Sequence, residues 1–396
     1  MRFRALALPV LAAIGCTTSS NGPSGGTDAD TDADAGTGGE YGEGLVAGSV
    51  TAACTAGIPP AGRPADVSHP TSTVGDGTAE SCTFDALEAA VAGGGVVVFD
   101  CGPDPATVPV TSTIELPIDR DTVIDGGGRI TLDGGDAVRI LRFYSPNFQH
   151  TETRVTLQHI ALVHGKTTPA EAIPRADPPC SQGYNDGEGG ALYMRDGNLT
   201  VIDAVFAGNQ GAALGPDTGG GAVYVVGSKH GVLIVHSTLS GNHASNGGAV
   251  GCLFSELDVY DSLVTGDFAS GHDANNNDPS QCDSINNGQH EIGSGGNGGG
   301  LYSDGAASSD GTPSNIVLCG DEILDNAAGD GAFGGGIFFT SNDYSGTLSI
   351  VDSTITGNTG GHWTNVAMGS VTSAGDAVGT NAKSITIVNS EVQGVP

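Results

Sequence analysis

His159, Asp203, His236 and Asp261 are the residues whose types and spacing could do chemistry, because each holds the fifth place of a recurring eleven-residue phrase. The phrases read VTLQHIALVHG from Val155, LTVIDAVFAGN from Leu199, VLIVHSTLSGN from Val232 and LDVYDSLVTGD from Leu257. Later copies start at Ile316, Leu348 and Ile385 and place Gly320, Asp352 and Asn389 in the same position. If successive phrases stack as neighbouring strands, one place becomes a column with side chains about 4.8 Å apart. Alternating His and Asp at that separation could hydrogen-bond, shift each other's pKa, or grip a divalent metal. The plainer reading is a corner ladder, in which Asn, Asp and His bond the backbone of the next coil. Parity with the apolar first and third places predicts that the column faces inward, unless the chain turns there.

Other constellations carry less. HDANNNDPSQCD clusters oxygen ligands in one insertion, so Asp273, Asp278 and Asp283 form either a candidate calcium loop or an ordinary polar loop, and calcium is the only cofactor the sequence suggests. The acidic run Asp28 to Asp34 lacks the sixth-place glycine of an EF-hand and reads as solvated linker. A polysaccharide lyase would draw its base or oxyanion partner from Lys166, Arg195, Lys229 or His164. A glycosidase would need two facing carboxylates, for which Asp186 with Glu188, or Asp321 with Glu322, are the nearest pairs. Trp363 is placed either to stack on a sugar or to pack a corner.

The elements that must position these residues follow from the repeats. Apolar residues hold the first, third and eighth places of every phrase, and Gly, Asn or Asp usually closes it. GGALY at Gly189, GGAVY at Gly220, GGAV at Gly247, GGLY at Gly299 and GGIFF at Gly335 supply a second strand signal after a glycine corner. From Val232 to Leu257 the step is 25 residues, enough for one three-sided turn of stacked strands. The prediction is an all-β, right-handed parallel β-helix of ten to twelve coils. Leu199, Val201, Phe206, Ile234, Leu239, Leu257, Val259, Leu348, Ile350 and Ile355 should line its core, and Asn209, Asn242, Asn326 and Asn358 a structural column. Thr83 as N-cap, helical spacing from Phe84 to Val91 and the stop at Gly93 to Gly95 predict a short N-terminal helix that caps the open end.

Composition agrees and sets an address. Gly contributes 66 of 396 residues and aromatics 5%, which suits many tight corners rather than a bulky core. A formal charge of −32 with 13 Lys and Arg disfavours nucleic acid and anionic membrane surfaces. Arg2, Arg4 and the apolar run Ala5 to Ile14 make residues 1–15 a signal peptide. Gly15-Cys16 resembles a bacterial lipobox, with Ala13 where Leu is usual, so Cys16 is the expected lipidated N-terminus of the mature chain. Residues 16–45, rich in Gly, Ser and Asp, read as a flexible tether, and 46–396 as the β-helix. An exported chain can keep disulfides. Cys82 with Cys101, and Cys180 with Cys282, are the candidate pairs among seven mature cysteines other than Cys16.

The GGA segments and Phe206-Ala207-Gly208-Asn209 resemble the repeats of the chlamydial polymorphic outer-membrane proteins. The opening helix followed by IDGGG resembles bacterial β-helix proteins of the pectin-lyase-like superfamily. Both resemblances imply fold far more than activity, since that superfamily hosts lyases, glycosidases, adhesins and passenger domains. The expected function is a non-enzymatic, lipid-anchored protein of the outer membrane or cell surface. Its partners would be polysaccharide or surface protein, in adhesion or matrix binding. The alternative is a polysaccharide lyase or glycoside hydrolase working in the solenoid groove.

Overall fold

Each phrase makes two short strands because a corner interrupts it at places five and six, sending the halves into different sheets. The computed structural model describes residues 40–41, 45–48, 50–51, 53–167, 188–274, 294–306, 314–341, 346–368 and 384–393. The first sheet stacks, among others, Arg154–Val163 (first half), Asn198–Ile202, Val232–Val235, Leu257–Tyr260, Asn315–Cys319 and Thr347–Val351. The second stacks the other half of Arg154–Val163 with Val205–Ala207, Thr238–Ser240, Leu263–Thr265, Glu322–Leu324 and Thr354–Thr356. The third, entered through the glycine corners, contains eight strands from Ile114–Glu115 to Val366–Met368. All pairings within these stacks are parallel and keep like residues together, as in Leu199 beside Val232 and Phe206 beside Leu239. The chain is a parallel β-helix.

Among the described residues the first sheet stacks ten strands, from Ser72–Val74 to Ser384–Val388, which agrees with the ten to twelve coils expected, and the third sheet stacks eight.

All ten core residues named from the alternation are buried, none above 1% exposed. A fully buried side chain of the size of Phe206 contributes roughly 1.5–3 kcal/mol. Helix Phe84–Ala92 closes the N-terminal end: Thr83 Oγ1 accepts the Ala86 amide at 3.2 Å, and Leu87, Ala90 and Val91 join the core of Val97 and Ile114. The Cys82–Cys101 disulfide ties the helix approach to the strand Gly95–Phe99. At the other end Ile387 is 38% and Val388 51% exposed.

Two buried hydrogen-bond ladders run along the corners. In the first, Asn209 donates to Asn242 Oδ1, Asn242 to Asp267 Oδ1, Asp267 N to Asn326 Oδ1, and Asn326 to Asn358 Oδ1. In the second, at the sixth place of the phrase, backbone amides reach across coils: Ser237 N to Ser262 Oγ, Ser262 N to Asp321 Oδ1, Asp321 N to Ser353 Oγ. Each ladder satisfies backbone groups that the corner takes out of the sheets. Residues 1–39, including Cys16, lie outside the described residues, as do Cys180, Cys282, Asp278 and Asp283.

Candidate functional site

The fifth-place column sits on a turn, which corrects the expectation that it faces the core. His159, Asp203, His236, Asp261, Asp352 and Asn389 all have φ between 46° and 50°, and Gly320 has φ 74°. This is the left-handed region, where Asn, Asp, His and Gly are the residues most often tolerated. The backbone swings from first to second sheet at each of them, so the side chains leave the alternation and line the outer corner. Turn chemistry therefore selected the residue types, and stacking brought them together.

Once stacked, they pair. His159 Nδ1 lies 3.2 Å from Asp125 Oδ2 and its Nε2 3.6 Å from Asp203 Oδ2. His236 Nδ1 lies 3.8 Å from Asp203 Oδ1 and its Nε2 3.3 Å from Asp261 Oδ2. The order Asp125, His159, Asp203, His236, Asp261 is thus an alternating chain in which both nitrogens of each imidazole face carboxylates. Only the doubly protonated ring donates in both directions. The hydrogen bond with Asp125 raises the His159 pKa against burial, and Asp261 does the same for His236. Burial alone would lift Asp125, but bonds from His159, Gln158 and the Gly127 amide hold it below its usual value. The imidazoles remain 32% and 39% exposed. Among the described residues no three His, Cys, Asp or Glu converge on one point, so these ladder groups meet in pairs.

A strap that the sequence did not reveal frames this corner. Gly48 N donates to Thr238 Oγ1 at 3.0 Å, Thr51 N to Glu322 at 2.8 Å, and Cys54 N to Asp261 Oδ1 at 2.6 Å. Thr55 then binds Asp352 through its amide and hydroxyl, and the chain turns back, with Gly57 N donating to Cys54 O. On the return Ala65 exchanges hydrogen bonds with the Gln158 amide, whose Nδ-equivalent Nε2 also reaches Asp125. The Cys54–Cys319 disulfide pins the turn. Gly320 is required beneath it, since a Cβ there would lie 2.0 Å from Asp261 Oδ1 and 2.5 Å from Cys54 N. The break in the His/Asp column is where the strap crosses. The signal that could have found it was Cys319 standing beside Gly320, a glycine in a place otherwise held by His, Asp and Asn.

The remaining sequence-stated candidates scatter. Asp321 is fully buried while the adjacent Glu322 turns outward to Thr51, so they do not form a facing carboxylate pair. Glu188 is buried, and its proposed partner Asp186 is outside the described residues. Asp273 pairs with its neighbour His272 at 2.8 Å. His164 meets Asp133 at 3.2 Å, and Lys229 pairs with Glu152. Trp363 packs against Phe333, with ring centroids 6.0 Å apart. Arg195 stands apart from these. Arg142 and Tyr144 on one strand of the third sheet face Tyr193 and Arg195 on the next, forming a checkerboard on its outer side. Arg142 lies 4.7 Å and Arg195 5.4 Å from the Tyr144 ring centre, Arg195 also 5.6 Å from Phe148, and Arg139 5.1 Å from Tyr193. Arg142, Tyr144, Phe148 and Arg195 are half-buried, whereas Tyr193 is covered.

Fold and site together define a parallel β-helix with a strapped, charge-paired corner and an arginine–tyrosine face. No family model, no curated protein and no solved structure matches the chain.

Proposed function

We propose that this protein is an exported, lipid-anchored component of the cell envelope that binds polysaccharide and carries out no chemistry of its own. The observation that carries the reading is the arginine–tyrosine checkerboard of Arg142, Tyr144 and Arg195 with Phe148 beside it. Partly open aromatic rings give sugar faces a stacking surface, and guanidinium groups offer planar, forked donors for hydroxyls or carboxylates. Parallel pairing of the two strands sets these groups about 4.8 Å apart across the face. Export is supported by the Cys54–Cys319 and Cys82–Cys101 disulfides, which persist in oxidising compartments. Anchoring rests on Gly15-Cys16 and the Gly/Ser/Asp tract behind it.

The test is a panel of neutral and uronic polysaccharides presented to the purified chain, scored for binding and for released product. Binding without product is expected, weakened about tenfold or more by Tyr144→Ala or Arg195→Ala, the scale of losing one stacked or charge-assisted contact. Release of shortened or unsaturated sugar would turn the reading to the lyase or hydrolase class. Binding unaltered by both variants would move the site off this face.

A further inference from the structure

Two acids interrupt the buried ladders in adjoining coils, and both are wired as if they carried a proton. In the asparagine ladder every Nδ2 donates twice, to the next rung and to a carbonyl of the preceding coil. Asn242 reaches Asp267 Oδ1 and Phe206 O, Asn326 reaches Asn358 Oδ1 and Val264 O, and Asn358 reaches Asn365 Oδ1 and Ile323 O. Asp267 takes this place with a carboxyl. Its Oδ1 accepts two bonds from Asn242 at 2.7 and 2.9 Å, and its Oδ2, where a rung's nitrogen belongs, is buried without a hydrogen-bond partner. By register the groups matching a rung's two acceptors are the Leu239 carbonyl and Asn326 Oδ1. Both of those groups are acceptors, so a hydroxyl on Oδ2 would donate to one where a carboxylate oxygen could not.

Asp321 repeats the arrangement in the serine ladder. Ser237, Ser262, Ser353 and Ser390 each donate Oγ–H to the carbonyl two residues back, at 2.7–2.8 Å. Asp321 Oδ1 accepts Ser262 N at 2.9 Å, as a serine oxygen does, while Oδ2 is buried and unpartnered; the carbonyl two residues back is that of Cys319.

We propose that Asp267 and Asp321 are neutral carboxylic acids in the folded protein, each supplying the donor that its ladder needs, so that the middle coils are held by two protons and loosen as pH rises. Burial pushes the Asp267 carboxyl up to about 8 and raises that of Asp321 as well, with the charge of Asp261 adding to the second. The titratable groups on the elements packed around Asp267 are His243, on the corner strand beside it and itself lowered by burial and then by Lys166, and Asp325 in the following coil. Around Asp321 they are Asp261 with its partner His236, Glu322 and Asp352. An unfolded Asp titrates near 3.9. From there up to the folded value of about 8 for Asp267, the folded chain holds a proton that the unfolded chain has released. The contribution of Asp267 is therefore complete below about pH 4 and declines through that window, by about tenfold in the unfolding equilibrium per pH unit, and that of Asp321 has the same sign.

Infrared spectroscopy of the full chain, isotope-labelled at aspartate, tests this at pH 6. A protonated-carboxyl band is expected, diminished in Asp267→Asn and again in Asp321→Ser. Asp258, which burial raises to about 7, is removed from the band by Asp258→Asn. Urea unfolding at pH 5 and pH 8 should show Asp267→Asn losing about one proton's worth of the wild-type slope. A wild-type chain without the band overturns the proposal whether or not the variants fold, and so does an Asp267→Asn protein that keeps the full pH slope.

Discussion

At φ near +48° a residue is chosen for how its backbone bends, and the chemistry of His159, Asp203, His236 and Asp261 is a consequence of that choice. A fixed turn conformation narrows the menu to Gly, Asn, Asp and His, and the stack then sets neighbours within ion-pair reach. The column should therefore be felt as pH-dependent stability. His159 and His236 have folded pKa values raised by Asp125 and Asp261, so their contribution is complete below the unfolded value near 6.5 and is lost as pH rises through the raised values. Asp125, lowered when folded, contributes above an unfolded value near 3.9, and that part is lost as pH falls through its folded value. Because the imidazoles are about a third exposed, each histidine is worth under about 1 kcal/mol. NMR titration of the two rings is the measurement: both should titrate above 6.5, and Asp203→Asn should lower both at once. Ordinary titration of both rings would mean that solvent has uncoupled the column. The alternation of His and Asp was readable in the sequence, but its direction was not. Place five has core parity, and only the turn at places five and six, which depends on φ, moves it to the surface.

The strap is the element that was least legible, and its physical reason is plain. The described residues of 45–66 bond through backbone amides to Thr238, Glu322, Asp261, Asp352 and Gln158, so they need no periodic side-chain pattern. Ala47 packs on Ala161, Val163 and Val205, outward residues of the second sheet that alternation alone would have left in water. The core-facing strands, by contrast, were legible because Leu199, Val232 and Leu257 repeat one buried position in neighbouring coils. Cys82 with Cys101, separated by 19 residues around one helix, was likewise readable, whereas Cys54 meets Cys319 across 265. Replacing both Cys54 and Cys319 by Ser should lower the unfolding free energy by about 2–5 kcal/mol, the range for bridging a long loop. Hydrogen exchange should then quicken at the amides of Cys54, Thr55 and Ala65, which the strap uses for bonding. Unchanged protection at those amides would show that the hydrogen bonds hold the strap without the sulfur link.

For the molecule as a whole, the address is the part that the fold leaves open, and one measurement fixes it. Intact-mass analysis of the membrane fraction should find a mature chain beginning at Cys16 and carrying acyl mass; any other first residue removes the lipid anchor from the proposal. Solenoids ordinarily behave as a row of dominoes, each coil stabilised by its nearest neighbours and free to fray from an end. The strap changes that arithmetic here. It touches Gln158, Thr238, Asp261, Glu322 and Asp352, so coils that share no strand pairing are joined by one continuous segment. Peeling the rod from Ser384–Val388 can proceed freely only as far as Asp352; beyond that, unzipping one coil must also tear the splint from coils still intact. Pulled from its C-terminal end, the chain should yield a short compliant stretch and then one large rupture, in place of the even sawtooth of an unbraced repeat.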